Sequence, residues 1–112
     1  MRNLEKYKGV IPAFYACYDK EGNISPEGVQ GLTKYFVKKG VKGVYVNGSS
    51  GECIYQSVED RKIVLENVMK VAEGKLTVIA HVACNNTKDS QELARHAEGL
   101  GVDAIAAIPP IY

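Results

Sequence analysis

Short apolar runs alternate with longer amphipathic stretches from one end of the chain to the other. Residues 9–18 form a largely apolar run that reads as a first strand, with Pro12 near its start, where no ladder donor is needed. After a turn at 19–22, Ser25-Pro26-Glu27 offers an N-cap, a proline at the first helical position and an acid in the first turn. Val29, Leu32, Phe36 and Val37 stripe this helix, and Lys38-Lys39-Gly40 closes it with cations and a C′ glycine. A second strand is expected over 43–47. Ser57 and Asp60 open a second helix as a capping box with Asp for Glu, and Val64, Leu65, Val68, Val71 and Ala72 form its inner face. Leu76 to Val82 is a third strand, polar only at Thr77 and His81. Thr87 is expected to cap a third helix facing inward through Leu93, Ala94, Ala97 and Leu100 and ending at Gly101. A fourth strand over 104–108 stops at Pro109-Pro110.

Strands that are apolar on both faces belong to parallel sheets covered by helices. The helix-to-strand step repeats: Lys39-Gly40-Val41-Lys42-Gly43-Val44 is echoed by Leu100-Gly101-Val102-Asp103-Ala104-Ile105. Such βα units recur about every 30 residues in right-handed crossovers. Eight of them make a (β/α)8 TIM barrel of about 250 residues. Four strands and three helices are the first half of one, so residues 1–112 are expected to form the N-terminal half of a single α/β barrel domain. The small residues Ala104, Ala106 and Ala107 suit a narrowing barrel interior. A small doubly wound sheet, complete in itself, is the alternative, although its usual G-x-G-x-x-G signature is missing after the first strand.

The composition adds mainly exclusions. At 112 residues, 46% hydrophobic and 24% charged, the chain is one domain at most and of ordinary globular type. A net charge of +1 gives no argument for nucleic acid or an anionic membrane. Lys38-Lys39 and Arg61-Lys62 read as solvated helix faces. No apolar run has the length of a membrane span, and Met1-Arg2-Asn3 does not open a signal peptide. Cys17, Cys53 and Cys84 are odd in number and far apart, which suits a reducing, cytoplasmic setting and three buried thiols. His81-x-x-Cys84 has a ligand-like spacing, but no second close pair exists, so no metal is expected.

Chemistry concentrates in Gly48-Ser49-Ser50-Gly51-Glu52, directly after the second strand. A Gly-Ser-Ser-Gly turn at the C-terminal end of a strand gathers two hydroxyls and several backbone N–H groups into one concavity, suited to a carboxylate or phosphate. None of the lysines occupies such a strand end. Lys20 is in a turn; Lys34, Lys38, Lys62 and Lys70 are on helices; Lys42 and Lys75 precede strands.

At this loop the chain resembles the pyruvate-dependent class I aldolases, the family that includes dihydrodipicolinate synthase and N-acetylneuraminate lyase. The shared pattern is G-[ST]-[ST]-G-E, present as Gly48 to Glu52. Ile79-Ala80-His81-Val82-Ala83-Cys84 and Ile108-Pro109-Pro110-Ile111-Tyr112 are similar to the lyase branch, as are the openings 9–13 and 45–48. The branch usually has Ser-Thr where this chain has Ser49-Ser50, which keeps the hydroxyl and loses a methyl.

The resemblance implies a Schiff-base lyase that cleaves N-acetylneuraminate to pyruvate and N-acetylmannosamine, with no cofactor. It assigns the pyruvyl carboxylate to Ser49, Ser50, Gly51 and Ala13, and a hydroxyl relay to Ser50 and Tyr112. Its partners are a 2-keto acid substrate and further copies of the chain, a tetramer in the full-length family. The Schiff-base lysine lies on a later strand in the family, so the fragment alone is expected to be inactive, with its open sheet edges prone to pairing. Glu52 is expected to tie the loop to nearby backbone, and His81 to be a hydrogen-bonded barrel residue. A dihydrodipicolinate synthase-like aldolase and a non-catalytic half-barrel that binds or assembles are the two other readings.

Overall fold

A computed structural model describes residues 4–110. Three parallel strands, β1 (Gly43–Val46), β2 (Thr77–His81) and β3 (Ala104–Ala106), form one sheet in the order β1-β2-β3. Helices α1 (Pro26–Lys39), α2 (Val58–Ala72) and α3 (Thr87–Leu100) precede β1, β2 and β3 in turn. α2 packs against both α1 and α3, so the three helices form one layer. Spatial order equals chain order, and the helices cover a single face. That is the winding of a barrel wall, without the reversal of strand order at which a doubly wound sheet changes faces.

Local chemistry sets each helix end. Ser25 Oγ accepts from the Gly28 N–H (3.0 Å) and Ser57 Oγ from the Asp60 N–H (3.0 Å). Such caps contribute about 1 kcal/mol each. At α3 the cap is Asn86, whose side chain accepts from the Asp89 N–H (2.8 Å), so the expected cap Thr87 is the first helical residue. Gly40 and Gly101 end α1 and α3 with φ of 76° and 81°, the left-handed geometry that glycine adopts without a Cβ penalty.

The core lies between sheet and helices. Val44 and Val46 of β1 pair in register with Val78 and Ala80 of β2, and all four are buried beneath Val64, Leu65, Val68 and Ala72 of α2 and Leu93 and Ala97 of α3. Alternate residues take the other face: Tyr45 pairs with Ile79, and Ile79 with Ala104. Gly43 permits the close approach of β1 to β2, since a Cβ there would collide with the Thr77 carbonyl.

The expected first strand over 9–18 is not formed as a strand; a single parallel bridge, Ala13 to Tyr45, replaces it. The Phe14 N–H donates to the Tyr45 carbonyl (2.9 Å) and the Tyr45 N–H to the Pro12 carbonyl (3.0 Å). A second bridge would need an N–H at residue 12, which proline lacks. In the other direction β1 ends at Val46, because Asn47 turns out of the strand. The fourth expected strand shortens likewise to Ala104–Ala106.

Phe14 anchors this edge segment. It is fully buried, with its ring 6.1 Å from that of Phe36. Phe14→Ala should lower unfolding free energy in urea by about 3–5 kcal/mol. A loss under about 1 kcal/mol would mean that the segment is not packed as described.

Candidate anion-binding loop

The loop begins with a residue under constraint. Asn47 holds φ at 65°, a left-handed conformation uncommon outside glycine but tolerated best by Asn and Asp. It is 4% exposed. Its Nδ2 donates to the Arg61 carbonyl (2.9 Å), and its own carbonyl accepts from His81 Nδ1 (3.0 Å). Gly48 follows because the Tyr45 ring lies 2.7 Å from where its Cβ would be.

Ser49–Gly51 then form one turn of 3-10 helix. The N–H groups of Gly51 and Cys53 donate to the Gly48 carbonyl (3.0 and 3.4 Å), and that of Glu52 to the Ser49 carbonyl (3.0 Å). Gly51 is buried, and a Cβ there would stand 2.8 Å from the Phe14 carbonyl. Among the described residues, none of these bonds uses the N–H or hydroxyl of Ser49 or Ser50, and both serines are exposed. Four donors at the C-terminal end of β1 are therefore open to an anion. The Gly51 N–H is engaged inside the turn and is not among these donors; its lack of a side chain lets the turn lie against the Phe14 carbonyl. Ala13 lies on the neighbouring segment opposite Tyr45. Tyr112 lies outside the described residues.

Three side chains brace the far end of the turn. The Tyr18 hydroxyl donates to Glu52 Oε1 (2.7 Å), while Gln56 Nε2 donates to the Tyr18 hydroxyl (3.2 Å) and the Gly51 carbonyl (3.0 Å). Glu52 thus ties the loop to a side chain, not to backbone as expected, and it too has a positive φ of 61°.

Arg61 corrects the expectation of a solvated helix face. It is 3% exposed, donating through Nη2 to the His81 carbonyl (2.7 Å) and through Nη1 to the Ala83 carbonyl (2.8 Å) and Cys84 Sγ (3.2 Å). Its Nε has no partner among the described residues. A signal was present in the sequence, because position 61 lies on the same helical stripe as Val64, Leu65 and Val68. A cavity of about 240 Å³ opens beside it, lined by Cys53, Ile54, His81, Cys84 and Ile108; it does not include Ser49 or Ser50. The three cysteines are half-buried free thiols, less enclosed than expected, and burial pushes the Cys17 thiol up.

His81 is a buried, hydrogen-bonded residue on the sheet face opposite the helices, its ring 6.1 Å from that of Tyr45. A carbonyl can only accept, so Nδ1 carries the proton. Burial pushes its pKa below the usual value; the bond to Asn47 opposes this, and the Arg61 charge adds to it. The folded state therefore favours neutral imidazole, whereas the unfolded chain protonates near pH 6.5. Stability from this residue is present above about pH 6.5 and is lost as pH falls through the depressed folded value, with a slope of at most about 1.4 kcal/mol per pH unit. His81→Asn should flatten this part of the stability–pH profile in urea titrations between pH 7 and 5. An unchanged profile would contradict the assignment.

The sequence and the fold both have relatives. The model of the dihydrodipicolinate synthetase family matches residues 6–112. The chain is 40% identical over 105 residues to N-acetylneuraminate lyase of Citrobacter koseri, covering 94% of this chain and 35% of that protein. Among solved structures, N-acetylneuraminate lyase from Mycoplasma synoviae superposes with a TM-score of 0.94 at 38% identity, over 98% of this chain and 38% of that one. Dihydrodipicolinate synthase from Aquifex aeolicus superposes at 0.86 with 29% identity, over 93% of this chain and 35% of that one. The chain thus spans little more than a third of the length of these relatives. This chain belongs to the dihydrodipicolinate synthetase family, and its sheet and helices are βα units of a (β/α)8 barrel.

Proposed function

We propose that this chain supplies the carboxylate-binding loop of a Schiff-base lyase that cleaves N-acetylneuraminate to pyruvate and N-acetylmannosamine. The observation that carries this reading is the pair Ser49–Ser50, whose hydroxyls and N–H groups stand open at the end of β1 between two glycines. The similarity to N-acetylneuraminate lyases supports it.

The chemistry follows from the charge distribution of the substrate. The pyruvyl carboxylate is a fixed anion next to the reacting keto carbon, so anchoring it orients that carbon. Each charge-assisted bond from the loop contributes about 1.5–3 kcal/mol. A lysine amine adds to the keto carbon and water leaves, giving an iminium that takes up the electron pair as the carbon–carbon bond breaks. In the same reading Ser50, with Tyr112, passes protons through the loop, and the working assembly contains further copies of the chain. The three unpaired thiols support a cytoplasmic setting.

No lysine among the described residues lies on a strand, and Lys42 and Lys75 precede β1 and β2 at the end opposite the loop. We therefore hold residues 1–112 to be a partial barrel domain without lyase activity of its own. A dihydrodipicolinate synthase-type reaction would use the same loop with a different aldehyde, and the likeness to the Aquifex aeolicus synthase favours it as the second reading.

Titrating pyruvate into ¹⁵N-labelled chain should move the Ser49 and Ser50 amides saturably, with Kd of about 1 mM, equivalent to about −4 kcal/mol. The double variant Ser49→Ala, Ser50→Ala should weaken binding at least about tenfold. Borohydride reduction in the presence of pyruvate should label no lysine. Shifts confined to the cavity beside Arg61 would remove the loop from the proposal, and a labelled lysine would overturn the predicted inactivity.

A further inference from the structure

Around the loop, three buried polar residues donate to one another's backbones in a closed cycle. Asn47 Nδ2 donates to the Arg61 carbonyl (2.9 Å), Arg61 Nη2 to the His81 carbonyl (2.7 Å), and His81 Nδ1 back to the Asn47 carbonyl (3.0 Å). Each side chain reaches the main chain of the next, so the cycle joins the end of β1, the first turn of α2 and the end of β2. All three are at most 4% exposed. Removing any member leaves a buried carbonyl or a buried cation short of a partner.

What the cycle holds is a backbone angle. Asn47 at φ 65° directs the chain into Gly48, and only that one residue separates it from the Ser49 and Ser50 donors. No side chain fits at Gly48, because the Tyr45 ring occupies the space where its Cβ would stand, and that ring itself lies against His81. The guanidinium at 61 spans acceptors at residues 81, 83 and 84 at once, a reach its planar fork allows and a lysine ammonium does not.

We infer that Asn47, Arg61 and His81 are positioning residues for the carboxylate of a 2-keto acid, acting through the Asn47 backbone on the Ser49 and Ser50 donors. This rests on reading the loop as a carboxylate cradle. A cycle that only stabilised the fold would alter melting and leave the anion affinity of the loop unchanged.

The test is pyruvate titration of the ¹⁵N-labelled chain, alongside thermal melts, for wild type, His81→Asn, His81→Leu, Asn47→Gly and the double variant Asn47→Gly/His81→Leu. His81→Leu should weaken binding at Ser49 and Ser50 about tenfold, the factor that corresponds to one buried hydrogen bond. His81→Asn, which keeps a donor near the Nδ1 position, should recover most of that loss. Asn47→Gly keeps the left-handed turn but loses the bond to Arg61, and should weaken binding severalfold. The double variant should bind no worse than His81→Leu, since the cycle is already open. Wild-type affinity in His81→Leu, failure of Asn to rescue, or multiplying losses in the double variant would each overturn the inference. Wild type without any pyruvate response would instead sink the cradle reading. The cycle would then be judged on the ligand-free heteronuclear NOE of the Ser49 and Ser50 amides: a fall in His81→Leu upholds positioning, and an unchanged value overturns it.

Discussion

A buried asparagine with a positive φ at the end of β1 is the constraint on which the site depends. At residue 47 a parallel strand must stop, reverse its local course and present the following residues to solvent, while its own polar groups stay out of water. Left-handed backbone costs a non-glycine residue about 1–2 kcal/mol, and the surrounding bonds must exceed that. Asn47 meets the requirement by donating to α2 and accepting from β2. The loop is therefore not an appendage on the sheet. It is fastened to the two elements that follow it in the chain.

This fastening explains why the core and the site belong together. Val44, Val46, Val78 and Ala80 hold β1 and β2 in register, and that register brings Asn47 level with His81. Slipping it by one residue would turn the apolar set to the wrong face and pull the Asn47 carbonyl away from the imidazole. The buried charge of Arg61 is a cost accepted in the same place. It meets carbonyls and a thiol, with no carboxylate among the described residues, which is the arrangement of a staple and not of an ion pair.

Much of the fold is legible in the sequence, because the signals that set it are local. Ser25-Pro26, Ser57, Gly40 and Gly101 each mark a helix end by residue type at that position, and the inner faces repeat at helical spacing. The candidate loop stands out in the sequence for the same reason: glycines and hydroxyls sit side by side. What escaped is non-local. Whether Pro12 breaks a strand depends on which N–H faces β1, and only the register supplies that. Asn86 and Thr87 both suit a cap, and the turn geometry selects the first. Arg61 was hidden by its charge, although its position on the apolar stripe of α2 was visible. The Asn47–Arg61–His81 contacts join residues 14, 20 and 34 positions apart, beyond what spacing along one sequence can reveal.

Where a carboxylate settles is read most directly from a crystal structure of the chain soaked with pyruvate. The carboxylate is expected within about 3 Å of the Ser49 and Ser50 N–H groups and hydroxyls, with Asn47 still in its left-handed conformation. A carboxylate seated against Arg61 in the neighbouring cavity, with the Ser49–Ser50 turn empty, would contradict the cradle at that turn.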